Sequence, residues 1–498
     1  MGQPDDVRSF SSADVGRRLD ACVGRTLGEV DRTGVFSGRG RNKGVAGAVV
    51  EQSVLGYPAD SRQEPDVRID GVPYEVKTTG LVDDREAPGR YVAKEPMSVT
   101  AVSPDRIWRE EFDGSAFWHK LEHMVLVYYL YNHGSASKVA NTREYASFEL
   151  LGYDLHEWSD HDRRVLESDW RVVRDFVERV HREGLDPDVE YPKISHELNR
   201  RLMYTDTAPK WPNRPRWRLK RATVTQLARE CFDHRAAGPG GRGEAGRLES
   251  LPSDPVSYED VGRLCREVRR RYAGRTVAQV AAAVGYEGAL GGKSVSEALL
   301  VRMLGGTARR FSAVEVFAKA NVRCRTVVLT GSGRRTEDMK LARVLLDEVA
   351  DPDRDWEDSA AREDLGARVL CAVFREPDAG APLADNVFLG FRWLGGEEEV
   401  AEAGRAVWDE MRRLVATGEL RDVVEVDRQG RPRVNARTGV PRSAPNWPKA
   451  RDSIVFLRGS GRDSGDKPEV VNGVRMYRQS FWLRGGWVAG RLSEGDWL

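Results

Sequence analysis

Hydrophobic positions along the chain follow two rhythms. Helical spacing marks residues 11–31, where Val15, Leu19, Cys22 and Val23 form an apolar stripe behind a capping serine, Ser11 or Ser12. It recurs from Lys43 to Val54, with Gly56 as a helix stop. Over residues 158–184 it places Leu166, Trp170, Val173, Phe176, Val177 and Val180 on one face. Strand signals lie between these helices. Val67 and Ile69 alternate with charged residues, Asp70-Gly71 predicts a hairpin turn, and Val72–Thr79 returns. Residues 97–103 read as a short strand and Met124–Tyr131 as a buried one, whereas 80–96, rich in Gly, Pro and charge, read as a loop.

The predicted hairpin carries the chemistry. Glu75 and Lys77 stand two residues apart, so on a strand both side chains share a face. Asp66 precedes the hairpin, and Glu51 can reach the same point from the preceding helix. Three carboxylates and a lysine suit a Mg²⁺-dependent phosphodiesterase, because hard cations take oxygen ligands and acidify a bound water. The lysine would orient that water or help deprotonate it. A solvated hairpin with ordinary surface charges is the competing reading.

Composition narrows the setting. A chain of 498 residues exceeds one ordinary core, so two or three domains are expected. Charged residues make up 31% and hydrophobic ones 40%, which fits a soluble globular protein; no apolar run is long enough to span a membrane. Neither a signal-peptide pattern nor a Cys-x-x-Cys pair occurs, and the five scattered cysteines fit a reducing cytoplasm. Basic and acidic residues balance at 78 each, so a nucleic-acid partner requires segregated positive charge. Residues 200–221 supply it, with eight Lys or Arg against Asp206 alone. Lys210, Arg214, Arg216, Arg218, Lys220 and Arg221 interleave with tryptophan and proline, as suits a segment tracking a phosphate backbone. His119 and His123 have i,i+4 spacing but precede a strand, and are read as structural or DNA-facing rather than as metal ligands.

In order and at close spacing the chain presents GRTLGEV from Gly24, NKG-x-x-G from Asn42, Glu51, Leu55-Gly56, Pro65-Asp66 and EVKT from Glu75. This order resembles the MutH family of the PD-(D/E)XK nuclease superfamily, which comprises the mismatch-repair nickase and the larger, GATC-cutting Sau-type restriction endonucleases. The resemblance implies a mixed central sheet flanked by helices, double-stranded DNA as substrate and Mg²⁺ as cofactor. Asp66 and Glu75 would hold the metal, Glu51 would be a third carboxylate, and Lys77 would orient the attacking water. Lys120, in a His-Lys word before the buried strand, inherits the role of a further active-site lysine. The gap between Asp66 and Glu75 is slightly longer than in the nickase, which leaves Glu64 as a substitute ligand. Trp217 to Lys220 matches a word that ends the family's domain and helps bind DNA.

Residues 233–257 are the clearest linker, rich in Gly, Pro, Ser and charge. The halves on either side echo each other. Gly24–Asp31 pairs with Gly274–Ala281, Lys43 with Lys293 and Ala48–Val50 with Ala298–Leu300, all at one offset. At that offset Val301 stands for Glu51, and Arg323-Cys324-Arg325-Thr326 falls near Glu75–Thr78. The expected architecture is therefore α/β, with two tandem restriction-endonuclease-like domains: a catalytic one at 1–232 and a degenerate one at 258–498. Arg458, Arg462 and Ser464, on a glycine-rich loop, are the second domain's candidate DNA contacts. Sau-type enzymes use such a copy as a DNA-binding effector. Alternative readings are a mismatch-repair nickase, a nuclease for modified DNA and a non-catalytic DNA-binding regulator. With one active centre per chain, double-strand cutting calls for a dimer, a transient dimer on DNA, or sequential nicking.

Overall fold

The computed structural model describes residues 6–37, 44–58, 65–84, 87, 89–132, 142–209, 212–237, 248–291, 295–334, 337–352, 354–394, 398–427, 429–436, 439–461, 466–494 and 497–498. Contacts divide the chain into two compact units. The first takes Met1–Gly134, Ala140–Leu264 and Leu304–Val322; the second takes Ser135–Val139, Cys265–Met303 and Arg323–Leu498. This division does not follow the expected linker. Helix Arg221–Ala237 runs into that segment, and beyond it Glu249 accepts hydrogen bonds from Thr307 and Ala308 within the first unit.

The first unit contains strands β1 (Ser9–Phe10), β2 (Val67–Ile69), β3 (Val72–Asp83), β4 (Tyr91–Ala93), β5 (Met97–Ala101), β6 (His123–Leu130), β7 (Leu150–Glu157), β8 (Thr205–Ala208) and β9 (Arg216–Leu219). Its main sheet runs β1-β2-β3-β6-β7, with β4 also on β3; a second sheet runs β5-β9-β8. The strand pairs β1–β2 and β3–β6 are parallel, while β2–β3 and β6–β7 are antiparallel. The hairpin closes where predicted: Asp70 and Gly71 both take positive φ, 49° and 83°, as a two-residue turn with both centres left-handed requires. Ser11 caps helix Ser12–Asp20 by accepting the Asp14 N–H, and Ser159 caps helix Asp160–Glu183 in the same way through Asp162. Val76, Val125 and Val127 pack from one sheet face into a core with Val15, Leu19, Val49, Leu55 and Phe148. Period-two alternation therefore turns Glu75 and Lys77 to the other face.

One expectation fails between residues 80 and 96. Instead of a loop, β3 continues to Asp83 and turns back as β4. Gly80 looked like a breaker, yet it is a packing requirement: a Cβ there would lie 3.1 Å from the Tyr129 ring.

The second unit contains β10 (Arg323–Leu329), β11 (Met339–Arg343), β12 (Val369–Arg375), β13 (Val387–Leu394), β14 (Asp422–Val424), β15 (Ser443–Pro445), β16 (Val455–Ser460), β17 (Glu469–Val471), β18 (Val474–Met476) and β19 (Arg478–Leu483). Sheet β10-β12-β13 has one parallel and one antiparallel pair, the same order and sense as β3-β6-β7. Sheet β11-β19-β16 places β19 centrally, as β9 lies in β5-β9-β8. Local devices also recur. Thr26 with Glu29 and Thr276 with Gln279 form capping boxes, preceded by Gly24 and Gly274 at φ 80° and 83°. Ser115 and Ser359 each cap a short helix while donating to the carbonyl three residues back, at 2.7 and 2.8 Å. At the register position of Glu75 stands Arg323, and it pairs with Asp364, five residues after Ser359 as Lys120 is five after Ser115.

Deep in the first unit, Lys319 is only 1% exposed and meets three carboxylates. Its Nζ lies 2.9 Å from Asp162, 2.8 Å from Glu315 and 3.3 Å from Glu230. Asp162 is held below the usual carboxylate range against its own burial, chiefly by Lys319, whereas burial pushes Glu230 up. Removing the one cation strands buried negative charge. Lys319→Met is expected to lower stability by about 3 kcal/mol in denaturant unfolding; a loss within experimental error would show that the cluster is not a stabilising network.

Candidate active site

Three local features bring the functional side chains together. Helix Val45–Val49 widens into a π-helical turn, Val50–Leu55, which carries Glu51 and ends at Gly56 with φ 87°. Such wide turns often mark functional positions. The Gly56 and Tyr57 N–H groups both donate to the Glu51 carbonyl, at 2.8 and 3.0 Å, which fixes the start of the next segment. Asp66 lies just before β2, and its Oδ2 accepts the Val76 N–H of β3 at 2.8 Å. Lys120 follows helix Ala116–His119 and precedes β6, which runs parallel to β3 with Glu75 opposite Met124.

Glu75 is the centre of the arrangement. Its carboxylate is 4% exposed, and both oxygens are engaged: Oε1 by Lys77 Nζ at 2.8 Å and Oε2 by Lys120 Nζ at 2.6 Å. Charge-assisted bonds of this kind are short and strong in a poorly hydrated site. The remaining carboxylates are not balanced. Burial pushes Glu51 up to about 7, with Asp66 and Glu75 adding to the rise and Lys77 and Arg8 opposing it. Burial and Glu75 likewise raise Asp66, against the Val76 N–H, Lys120 and Lys77. Carboxylates raised by burial and by one another mark a site short of positive charge.

Among the described residues no group of three or more His, Cys, Asp or Glu is preassembled as a metal cage. Mg²⁺ does not need one, since it commonly takes one or two carboxylates and completes its shell with water and phosphate oxygens. Asp66 and Glu75, with hard oxygen donors and surplus negative charge, fit that demand.

Other expected residues divide into separate groups. Arg214 and Arg216 are exposed, and Arg221 is half-buried at the start of its helix. Arg218 corrects the picture of a continuous basic surface: it is 8% exposed and forms two 2.8 Å bonds to Asp206, its cross-strand partner. Lys220 likewise turns to the Leu202 carbonyl at 2.6 Å. Lys210, Arg462, Ser464 and the substitute ligand Glu64 lie outside the described residues. In the second unit Arg458 is exposed on β16, stacked on Trp482 and paired with Asp338. His123 packs on the Tyr74 ring at 5.1 Å, and His119 is exposed.

Sequence reasoning missed two neighbours of the carboxylates. Arg8 lies over the Tyr57 ring at 5.0 Å and donates to the Pro58 carbonyl at 3.0 Å. Tyr57 is 2% exposed and senses Glu51, Asp66 and Glu75. Tyr57 adjoins the Leu55-Gly56 word and was within reach of a sequence reading; nothing in the sequence near Arg8 pointed to the site.

Comparison with known proteins gives this geometry its context. The family model for the DNA mismatch repair enzyme MutH matches residues 55–169, a span that contains Asp66, Glu75, Lys77 and Lys120 but not Glu51. The type II restriction enzyme Sau3AI of Staphylococcus aureus is 21% identical over 480 residues, which cover 88% of this chain and 90% of that enzyme. The MutH match lies over the first unit's site and the Sau3AI match spans most of both chains, so the chain is similar to MutH-like, Sau3AI-type restriction endonucleases over the segment that holds this site.

Proposed function

We propose that the protein is a type II restriction endonuclease that hydrolyses double-stranded DNA with Mg²⁺, at GATC. The observation that carries this reading is the meeting of Asp66, Glu75, Lys77 and Lys120 at one buried, electron-rich point inside the segment that matches MutH. Asp66 and Glu75 would hold the metal, with Glu51 as the third carboxylate. A bound Mg²⁺ supplies a more acidic water and neutralises phosphate charge.

The chain's own groups do the rest. Lys77 leaves Glu75 for the attacking water and orients it, while Lys120 meets the phosphate oxygen on which negative charge accumulates. The water oxygen bonds to phosphorus and loses a proton on the Glu51 side. The bond from phosphorus to the leaving sugar oxygen breaks, and that oxygen takes a proton from solvent. Burial holds Glu51 near the pKa at which a carboxylate accepts a proton most usefully around neutrality.

The second unit is read as a degenerate copy that binds DNA as an effector. Three features support this: the β10-β12-β13 order, the fully buried Val301, and the charge-inverted pair of Arg323 with Asp364 where the first unit has Glu75 with Lys120. Arginine at that position repels a cation and attracts phosphate. Exposed Arg214 and Arg216 serve as backbone contacts in the first unit, in keeping with their open position. Cutting both strands then takes two protomers on DNA or two sequential nicks.

Asp66→Ala and Lys77→Ala should each reduce cleavage at least a hundredfold, by about 3 kcal/mol of transition-state stabilisation, while DNA binding persists. Wild-type rates in either variant would contradict the assignment. Lys77→Met/Lys120→Met leaves Glu75 buried without a cation. That double variant should melt lower than wild type and recover more of its stability when Mg²⁺ is added; equal responses of the two proteins to Mg²⁺ would argue against metal at Glu75.

A further inference from the structure

Tyr57 is the polar group beside the site that the account above leaves without a task. Tyr57 is 2% exposed, and its hydroxyl is buried with no hydrogen-bond partner among the described residues. Leaving such a group unpaired is costly, so a buried orphan hydroxyl at a reaction centre points to a ligand.

Its position is well defined. Gly56, at φ 87°, ends the π-helical turn, and the Tyr57 N–H is tied to the Glu51 carbonyl at 3.0 Å. Arg8 lies over one side of the ring and is anchored to the next residue, Pro58. The phenol rises well above its ordinary value, first through burial and then through Glu51, Asp66 and Glu75, so it stays a protonated O–H donor. It feels all three carboxylates yet bonds to none of them. A buried donor near those carboxylates is available to whatever they hold.

We propose that Tyr57 is a further catalytic residue, whose buried hydroxyl donates a hydrogen bond to the water that attacks the phosphodiester on the Glu51 side of the site. The inference rests on the nuclease reading and deepens it. Lys77 would approach that water from β3 and Tyr57 from the segment after the π-helical turn, so the two fix its orientation together. A single well-placed donor is worth roughly a factor of ten in rate.

The test compares the full-length wild type with Tyr57→Phe, which removes one oxygen and keeps the ring. Three quantities are measured: kcat and KM for unmethylated duplex DNA in Mg²⁺, DNA affinity in Ca²⁺, and the melting temperature without divalent cation. The proposal predicts a roughly tenfold lower kcat with KM and DNA affinity unchanged, and a melting temperature equal to wild type or higher, because an unpaired buried hydroxyl is removed. A wild-type kcat would overturn it. So would a lowered melting temperature, which would assign the hydroxyl to a structural hydrogen bond instead. If the wild type itself fails to cleave DNA in Mg²⁺, the nuclease reading falls and this inference falls with it; a cleaving wild type with an indifferent Tyr57→Phe sinks only the role of Tyr57.

Discussion

Burying one carboxylate organises the first unit. Glu75 faces away from the valine core on a strand that could as well have carried another apolar residue, and it is tolerated there only because two lysines close on it. Each lysine comes from a different piece of local structure. Lys77 arrives through the period of β3 itself, and Lys120 through a serine-capped helix that delivers it just before the parallel neighbour β6. The hairpin turn at Asp70-Gly71 fixes the register that brings Asp66 against the same strand. Without that register the carboxylates would not meet, and without the lysines the buried Glu75 carboxylate would lose both of its charge partners.

The same point is left with too much negative charge. Two lysines saturate Glu75, but Glu51 and Asp66 remain raised by burial and mutual repulsion. An enzyme that must bind a divalent cation and a phosphodiester together gains from this imbalance, because a cation relieves it and a lysine freed from Glu75 becomes available to the water. In the second unit the matching strand position carries Arg323 with Asp364. There too an ion pair joins the strand to a later helix, with its polarity reversed.

Much of this was legible in the sequence because it depends on local rules. Asp70-Gly71 specifies its turn, Ser11 and Ser159 specify helix starts, and the two-residue spacing of Glu75 and Lys77 specifies a shared face. The failures share a physical cause, namely partners distant in sequence. Gly80 signals a loop until the Tyr129 ring is seen beside it. Arg218 belongs to a basic run that suggests a surface, yet strand register sets it against Asp206. Lys319 follows the expected linker in the chain but is buried among carboxylates of the first unit. Tyr57 and Arg8 enter the site only through packing, so no spacing rule finds them.

The central claim is that this site cuts DNA with a divalent metal. Its most direct test is digestion of unmethylated plasmid by the full-length protein with and without Mg²⁺, followed by sequencing of the fragment ends. The account predicts discrete double-strand ends that share GATC and appear only with the metal. Intact plasmid in Mg²⁺, despite measurable DNA binding, would contradict it.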